Sequence, residues 1–260
     1  MKRVLIISYS FPPMLEGVRR VLKWIEYLPE TGWEPAVLTV KPVRASLLDS
    51  SPCAKLAGRG IPVYRSGSLD PYRLIRIIKG EPAAAAGGGN DPGRGVMCFL
   101  RRWLFIPDDR CGWIPFAVLK GLRAIKEFKP SIILSTSWPQ SAHLAALVLK
   151  RLTGLPWAAD FRDGWTQNPV FFNPATGLHE WIQKRLESAV AHQCDALTTV
   201  SEYITEHFRA IAGKDKAHTL SNGYDEADIT GIELCRPDRF RMLYTGTLYG
   251  GAKADCFLKA

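Results

Sequence analysis

Residues 132–161 read IILSTSWPQSAHLAALVLKRLTGLPWAADF, and this stretch decides the fold. Ile132–Thr136 and Trp157–Phe161 are short apolar runs, which predict two buried strands. Between them, apolar residues recur at helical spacing over Ser141–Leu152, which predicts a helix. A strand, a helix and a second strand in this order are typical of a βα unit in a parallel sheet.

The same alternation of strands and helices extends in both directions from this stretch. Strands are predicted at Val4–Tyr9, Ala36–Val40, Ile61–Tyr64, Ala196–Val200 and Arg241–Tyr244, and helices at Val18–Leu28, Ile114–Phe128, Leu178–Gln193 and Glu202–Ala212. The fold class is therefore predicted as α/β, a Rossmann-like parallel sheet flanked by helices. Glu81–Gly95, rich in Ala and Gly, is predicted to be a flexible insert.

The charge and the cysteines restrict the function classes. A net charge of +9 indicates an anionic partner. No helix-turn-helix, zinc-finger or RNA-binding pattern accompanies it, so we expect anionic lipid or a phosphorylated ligand and no nucleic acid. The six cysteines are scattered without metal-site spacing, and Met1–Ile7 is more typical of a buried strand than of a signal peptide. We therefore expect reduced thiols and a cytoplasmic location, with possible peripheral contact at the inner face of the membrane.

The loop after the first strand is one candidate ligand site. It contains Glu16, Gly17 and Arg20 at the start of a helix, where a glycine lets a ligand approach the backbone and a helix N-terminus favours anions. A plain strand-to-helix turn explains the loop equally well. A single glycine does not make the G-x-G-x-x-G pattern, which disfavours a dinucleotide-binding dehydrogenase.

A second candidate follows the strand Trp157–Phe161, where Asp160, Arg162, Asp163 and Trp165 lie close together. The arginine is expected to hold one carboxylate by ion pairing, which leaves the other free to act on a hydroxyl or to bind a sugar. Trp165 is a candidate for stacking on a sugar ring. The alternative is a structural ion-pair cluster, and a metal site is disfavoured because further acidic or His partners are missing nearby.

The third candidate is the polar loop that follows Ile132–Thr136. Ser137 lies just after this strand, and His143 lies early in the next helix. Hydroxyls at such a position make a polar cap that faces a ligand. Since His143 is flanked by Ala and Leu, a packing role is the alternative to ligand contact.

Together these motifs resemble the opening half of family 4 glycosyltransferases. The resemblance rests on Phe11–Pro13, Gly17–Val18, Arg20, Lys23, Tyr27–Pro29, Gly32–Pro35, Val37–Val40, Pro107–Asp108, Gly112–Trp113, Ser135–Ser137, His143, Pro156–Trp157, Asp160–Asp163, Val200–Ser201, Asn222–Asp225 and Tyr244–Tyr249. It covers nearly the whole chain apart from the Ala/Gly-rich insert. Trp138–Gln140 departs from it, because relatives tend to have a plainer proline-rich turn there.

The resemblance implies a GT-B fold, in which two Rossmann-like domains face each other across a cleft. The N-terminal domain of such enzymes mainly binds the acceptor, and the C-terminal domain binds the nucleotide-sugar. Transfer proceeds with retention at the anomeric carbon and needs no bound metal, so no cofactor is expected. The resemblance implies that Gly17 lies near the donor phosphates, that Asp160, Arg162 and Asp163 line the acceptor side, and that Asn222 and Asp225 lie at the hinge.

The same resemblance predicts how the chain divides into domains. Residues 1–220 are expected to form the N-terminal domain, residues 221–239 the crossover, and residues 240–260 the start of a C-terminal domain. The donor-binding motifs are expected beyond Ala260, so the chain alone is expected to be weak or inactive and to work with a separate C-terminal half.

The leading hypothesis is a retaining glycosyltransferase in surface polysaccharide or glycolipid assembly, with a nucleotide-sugar donor and a glycan or lipid-linked acceptor. The alternative is a non-catalytic module that binds an acceptor or a membrane and acts with a partner chain. Tyr72–Lys79 and Phe99–Phe105 interleave basic and apolar residues, which is typical of docking on an anionic membrane. Amphipathic packing inside the domain explains both segments as well.

Overall fold

The computed structural model describes residues 1–14, 17–42, 60–70, 103–168, 172–226, 230–231, 239–240, 242–243 and 245. The predictions for Glu16, Tyr72–Lys79 and the insert Glu81–Gly95 lie outside the described residues, as does most of Phe99–Phe105.

Seven strands form one sheet in which every neighbouring pair is parallel. They are β1 (Lys2–Ile7), β2 (Trp33–Val40), β3 (Val63–Ser66), β4 (Ile132–Thr136), β5 (Trp157–Phe161), β6 (Ala196–Thr199) and β7 (Ala217–Thr219). Their spatial order is β3-β2-β1-β4-β5-β6-β7. This is the doubly wound order of a Rossmann-like sheet, so the predicted fold class is confirmed.

Five α-helices accompany the sheet in the described part of the chain. They are α1 (Arg19–Tyr27), α2 (Ile114–Phe128), α3 (Ser141–Thr153), α4 (Gly177–Gln193) and α5 (Glu202–Ala212). A short 3-10 helix, Leu28–Thr31, continues α1 and ends at Gly32, whose φ of 80° is left-handed. A second one, Cys111–Trp113, leads into α2.

The prediction missed one strand, and at another predicted strand the residues that the structure describes belong to no strand. Strand β7 was not predicted because it has only three residues, of which Ala217 alone is buried. At the predicted strand Arg241–Tyr244, the two described residues, Met242 and Leu243, are exposed and belong to no strand.

The sheet is buried on both faces, as its continuous apolar strands require. Leu5 and Ile7 of β1 join the larger core, to which α2, α3, α4 and α5 contribute. Val4 and Ile6 point to the other face and pack with Val21 and other residues of α1. Among the described residues, no helix combines the length and the apolar character needed to span a lipid bilayer.

The strand order reverses between β1 and β4, which are neighbours in the sheet although more than a hundred residues separate them in sequence. Connections from adjacent strands leave on opposite faces at such a point and open a crevice beyond the carboxyl ends of the strands. The candidate residues of all three loops therefore belong to one edge of the sheet.

Candidate functional site

Asp160, at the carboxyl end of β5, has no exposed surface and is bonded on both carboxylate oxygens. Oδ1 accepts from Arg20 Nη2 at 2.9 Å and from Thr198 Oγ1 at 2.8 Å, while Oδ2 accepts from Thr136 Oγ1 at 2.8 Å. The arginine that pairs with Asp160 is Arg20 of α1, and not the neighbouring Arg162. Asp160 thus ties α1 to three adjacent strands, and every bond described for its carboxylate is to protein.

The other bonds of Arg20 reach the segment after β7. Nη1 donates to Asn222 Oδ1 at 2.8 Å, and Nη2 donates to the carbonyl of Leu220 at 3.1 Å. One helical turn further along α1, Lys23 pairs with Asp225, and Tyr27 donates to the same carboxylate at 2.8 Å. Arg20, Asn222 and Asp225 were all predicted to bind substrate. Their contacts fasten the predicted crossover to α1 at two points, one at Arg20 and one at Lys23 and Tyr27.

The side chain of Arg162 lies beside the turn between β1 and α1. Its guanidinium donates to the carbonyl of Gly17, and its Nε lies 3.7 Å from Asp163 Oδ2. Gly17 has a φ of 64°, and a Cβ added there would lie 2.4 Å from Nη1 and Nη2 of Arg162. Glycine is needed here both for the left-handed backbone and for the space that the guanidinium fills. The side chain of Asp163 is 43% exposed, so its carboxylate faces solvent beside this positive charge.

His143 is completely buried in α3 and is not exposed to a ligand. Its Nδ1 lies 2.7 Å from Ser135 Oγ, which also accepts from Trp157 Nε1 at 2.7 Å. Its ring packs on Phe161 with centroids 4.3 Å apart. Burial lowers the pKa of His143 to about 3, so the ring is neutral near pH 7.

The loop 162–168 is held against α4. Trp165 is 4% exposed and donates from Nε1 to Gln183 Oε1 at 2.7 Å, and Gln183 donates from Nε2 to the carbonyl of Pro107 at 2.8 Å. The buried carboxylate of Glu187 accepts from the backbone and side chain of Thr166 at 3.0 and 2.7 Å. Trp165 therefore offers only a small part of its ring to a ligand.

A pocket of about 40 Å³ opens between this loop and the loop after β4. It is lined by Pro107, Trp138, Gln140, Asp163, Gly164, Trp165, Phe172 and Gln183. Gln140 is 3% exposed, and its Oε1 has no hydrogen-bond partner in the described structure. The hydroxyl of Ser137, also buried, is likewise unpartnered there. Buried polar atoms without partners are uncommon, so these two atoms make the loop a candidate for ligand binding.

Sequence reasoning included Trp138 and Gln140 in the third candidate loop without choosing them as site residues, and it missed Gln183. The signal for the first two was present, because Trp138–Gln140 is where the chain departs from the family pattern. Gln183 carried no such signal, since it lies inside an ordinary amphipathic helix and reaches the pocket only through the fold.

Asp108 fixes the N-terminus of α3, which adjoins this pocket. Its carboxylate accepts from Ser141 Oγ at 2.7 Å and from the Ser141 backbone N at 2.9 Å. Burial raises the pKa of Asp108 to about 6, although the bonds from Ser141 and Arg110 act in the opposite direction.

In the described part of the chain, no three His, Cys, Asp or Glu side chains are grouped so as to hold a metal ion. The expectation that no metal is needed stays a prediction.

One family model and several solved structures are similar to this chain. A family model described as a glycosyl transferase 4-like domain matches residues 17–223. Similar solved structures include Anabaena HepE in complex with UDP and glucose (13% identity, 86% of this chain and 45% of that chain, TM-score 0.48). Others are the lipopolysaccharide outer core galactosyltransferase WaaB in its apo form (14%, 93% and 50%, 0.46) and Acinetobacter baumannii MurG (13%, 88% and 47%, 0.40). The chain spans about half the length of these structures. No curated protein sequence matches it.

Proposed function

This chain belongs to the glycosyl transferase 4-like family, and we propose that it provides the acceptor side of an enzyme that transfers a sugar from a nucleotide-sugar. The acceptor is a glycan or a lipid-linked saccharide of surface polysaccharide or glycolipid assembly. We assign the nucleotide-sugar mainly to a second domain, in the same polypeptide or in a separate partner chain. Retention at the anomeric carbon, and transfer without a bound metal, belong to the same proposal.

The observation that carries the proposal is the contrast between the two acids of the second loop. Asp160 is buried and fully engaged with Arg20, Thr136 and Thr198, whereas Asp163 is partly exposed beside Arg162 at the mouth of the crevice. A rigid sheet edge that presents one accessible carboxylate next to one guanidinium suits binding of a hydroxyl beside a phosphate.

In this proposal the two exposed groups have separate tasks. Asp163 accepts a hydrogen bond from the acceptor hydroxyl on the face of the donor sugar from which the diphosphate leaves, as retention requires. It takes the hydroxyl proton as the oxygen bonds to the anomeric carbon. The bond between that carbon and the diphosphate breaks, and the diphosphate leaves with the electron pair. Arg162, held at the Gly17 turn, lies where its charge favours the leaving diphosphate. Asp160 acts as a positioning residue that holds the loop and α1 together.

Peripheral membrane contact is a further part of the proposal, because several large apolar side chains are exposed on two neighbouring segments. We call it the Trp–Leu patch, and it consists of Trp103, Leu104, Leu178 and Trp181. His179 joins its two segments by donating from Nε2 to the carbonyl of Trp103 at 3.1 Å. Arg185 lies over the ring of Trp181 at 5.4 Å, so a positive charge borders the patch. Exposed Trp and Leu beside basic residues are typical of surfaces that bind anionic membranes.

Glycan analysis of a host strain that lacks the gene tests the proposed function. We expect a glycan or glycolipid that is one sugar shorter than in the parent strain. The wild-type gene should restore it, whereas Asp163→Asn should not. Asp215→Asn, at an exposed turn after α5, is the matched control and should restore it fully. Glycan and glycolipid pools identical to those of the parent would refute the proposal.

A further inference from the structure

The pocket between the loop after β4 and the loop after β5 is lined by polar side chains, and the charge among them is negative. Among its eight lining residues, Asp163 is acidic and none is basic. Gln140 adds a buried amide oxygen that has no partner in the described structure. Because both groups accept hydrogen bonds and no lining residue is basic, a ligand that donates hydrogen bonds is favoured here over an anion.

An aromatic surface borders these acceptors. Trp138 is 39% exposed and lines the pocket, while Trp165 lies nearly buried as its inner wall. Apolar C–H faces pack on an indole ring, while hydroxyls at the edge of the same molecule reach polar groups nearby. A sugar ring has an apolar C–H face and hydroxyls at its edge. An indole beside hydrogen-bond acceptors therefore suits a sugar ring.

We propose that this pocket binds one edge of an uncharged hexopyranose ring of the acceptor, with the Gln140 amide and the Asp163 carboxylate on its hydroxyls and Trp138 against its face. The inference rests on the proposed function and gives it a substrate class. It assigns the acceptor sugar to a position separate from the guanidinium of Arg162, where a phosphate is favoured.

The size of the pocket agrees with binding of an edge of the ring. Since each water-sized group needs about 10–15 Å³ on this measure, a volume of about 40 Å³ admits about three such groups. This is enough for two hydroxyls, or for one hydroxyl and a hydroxymethyl group. The remainder of the ring, and the rest of a longer glycan or lipid linkage, lies outside the pocket against Trp138.

Gln140 is also expected to lower stability in the unliganded protein. A buried amide oxygen without a partner is costly, and an apolar side chain of similar size removes that cost. Gln140→Leu should therefore raise the urea midpoint of unfolding while it weakens sugar binding. A purely structural role for Gln140 predicts the opposite change in stability and no change in binding.

Saturation-transfer NMR on the purified full chain tests the inference without any need for sugar transfer. The probes are methyl glucoside, methyl galactoside and methyl mannoside at millimolar concentration, with methyl phosphate and choline as anionic and cationic comparisons. At least one glycoside should receive saturation, and this should be about five-fold weaker in Gln140→Leu and in Trp138→Ala. Tyr203→Ala, at an exposed aromatic residue of α5 outside the pocket lining, is the matched control and should leave the signal unchanged.

Three outcomes overturn the inference: saturation of no glycoside, equal saturation in all variants, or saturation of methyl phosphate or choline alone. The glycan analysis of the deletion strain distinguishes failure of this inference from failure of the proposed function. If the glycan is shortened in the deletion strain but the chain binds no glycoside, only the assignment of the pocket is refuted. In the converse case, the chain binds a glycoside, Trp138→Ala abolishes this binding, and the glycans of the deletion strain are unchanged. That result would refute the proposed transferase function and leave a sugar-binding site.

Discussion

Arg20 on α1 and Asp160 on β5 form an ion pair of 2.9 Å in which the carboxylate has no exposed surface and the arginine side chain is 10% exposed. The pair crosses the crevice at the edge of the sheet, and Arg20 also bonds to Asn222 and to the carbonyl of Leu220. One side chain thus joins the first helix, the fifth strand and the segment that leaves the sheet.

Removal of one partner from this pair should be strongly destabilising. Arg20→Ala leaves the carboxylate of Asp160 buried without its counter-charge, so we expect a loss of about 3–5 kcal/mol in the free energy of unfolding. Urea denaturation measures this loss. The matched control is Arg123→Ala on α2, which removes an exposed pair with Glu127 of 3.0 Å and should change stability by less than about 0.5 kcal/mol. Equal effects of the two variants would mean that the buried network does not hold the crevice together.

Gly17→Ala tests whether the β1–α1 turn presents Arg162. The turn has a left-handed φ of 64°, and Gly154 after α3 has a similar φ of 72° with nothing near its missing Cβ. Gly154→Ala should therefore show the backbone cost alone, about 1 kcal/mol. Gly17→Ala should lose about 1 kcal/mol more, because the methyl group displaces the guanidinium of Arg162 from its carbonyl partner. In an Arg162→Ala background this extra loss should disappear, and its persistence would rule out the contact as the cause.

Asp108 should make the free energy of unfolding depend on pH. Its pKa is raised from 3.8 to about 6. Because the folded protein holds this proton more tightly than the unfolded chain, its stability decreases as the pH rises from 3.8 to about 6. The shift corresponds to about 3 kcal/mol. Asp108→Asn cannot ionise, so the difference in urea stability between wild type and variant should change by this amount across the range. A difference that stays constant with pH would contradict the assignment.

The Trp–Leu patch predicts binding to anionic vesicles. The double variant Leu178→Glu, Trp181→Ala should bind vesicles rich in phosphatidylglycerol about tenfold more weakly, since it loses apolar contact area and gains a negative charge. Leu119→Glu on α2 alters an equally exposed Leu outside the patch and serves as the control. Vesicle sedimentation at low and high salt measures the binding. Wild-type binding that is negligible at both salt concentrations would remove the membrane from the proposal.

The arrangement of strands and helices could be predicted because each element has its own local signal. Helix α2 and strands β4 and β5 begin and end at the predicted residues, since proline, glycine and polar residues border their apolar runs. Strand β7 has no such signal, because two of its three residues are exposed and only its place beside β6 makes it a strand.

The candidate site was harder to predict because its contacts are far apart in sequence. Arg162 was expected to hold one of the two carboxylates that flank it, but the arginine that pairs with Asp160 comes from α1, 140 residues away in sequence. Similarly, His143 was a candidate for ligand contact, and only the fold reveals that Ser135 and Phe161 enclose it. The unpartnered amide of Gln140 is visible only in three dimensions.

The central claim is that this chain holds the acceptor sugar and leaves the nucleotide-sugar mainly to another domain. The most direct measurement is one saturation-transfer NMR experiment on the purified chain with a methyl hexopyranoside and UDP-glucose in the same tube. We expect saturation of the methyl glycoside and little on the uridine protons. Strong saturation of the uridine protons with none on the glycoside would contradict the claim and reverse the roles assigned to the two sides of the cleft.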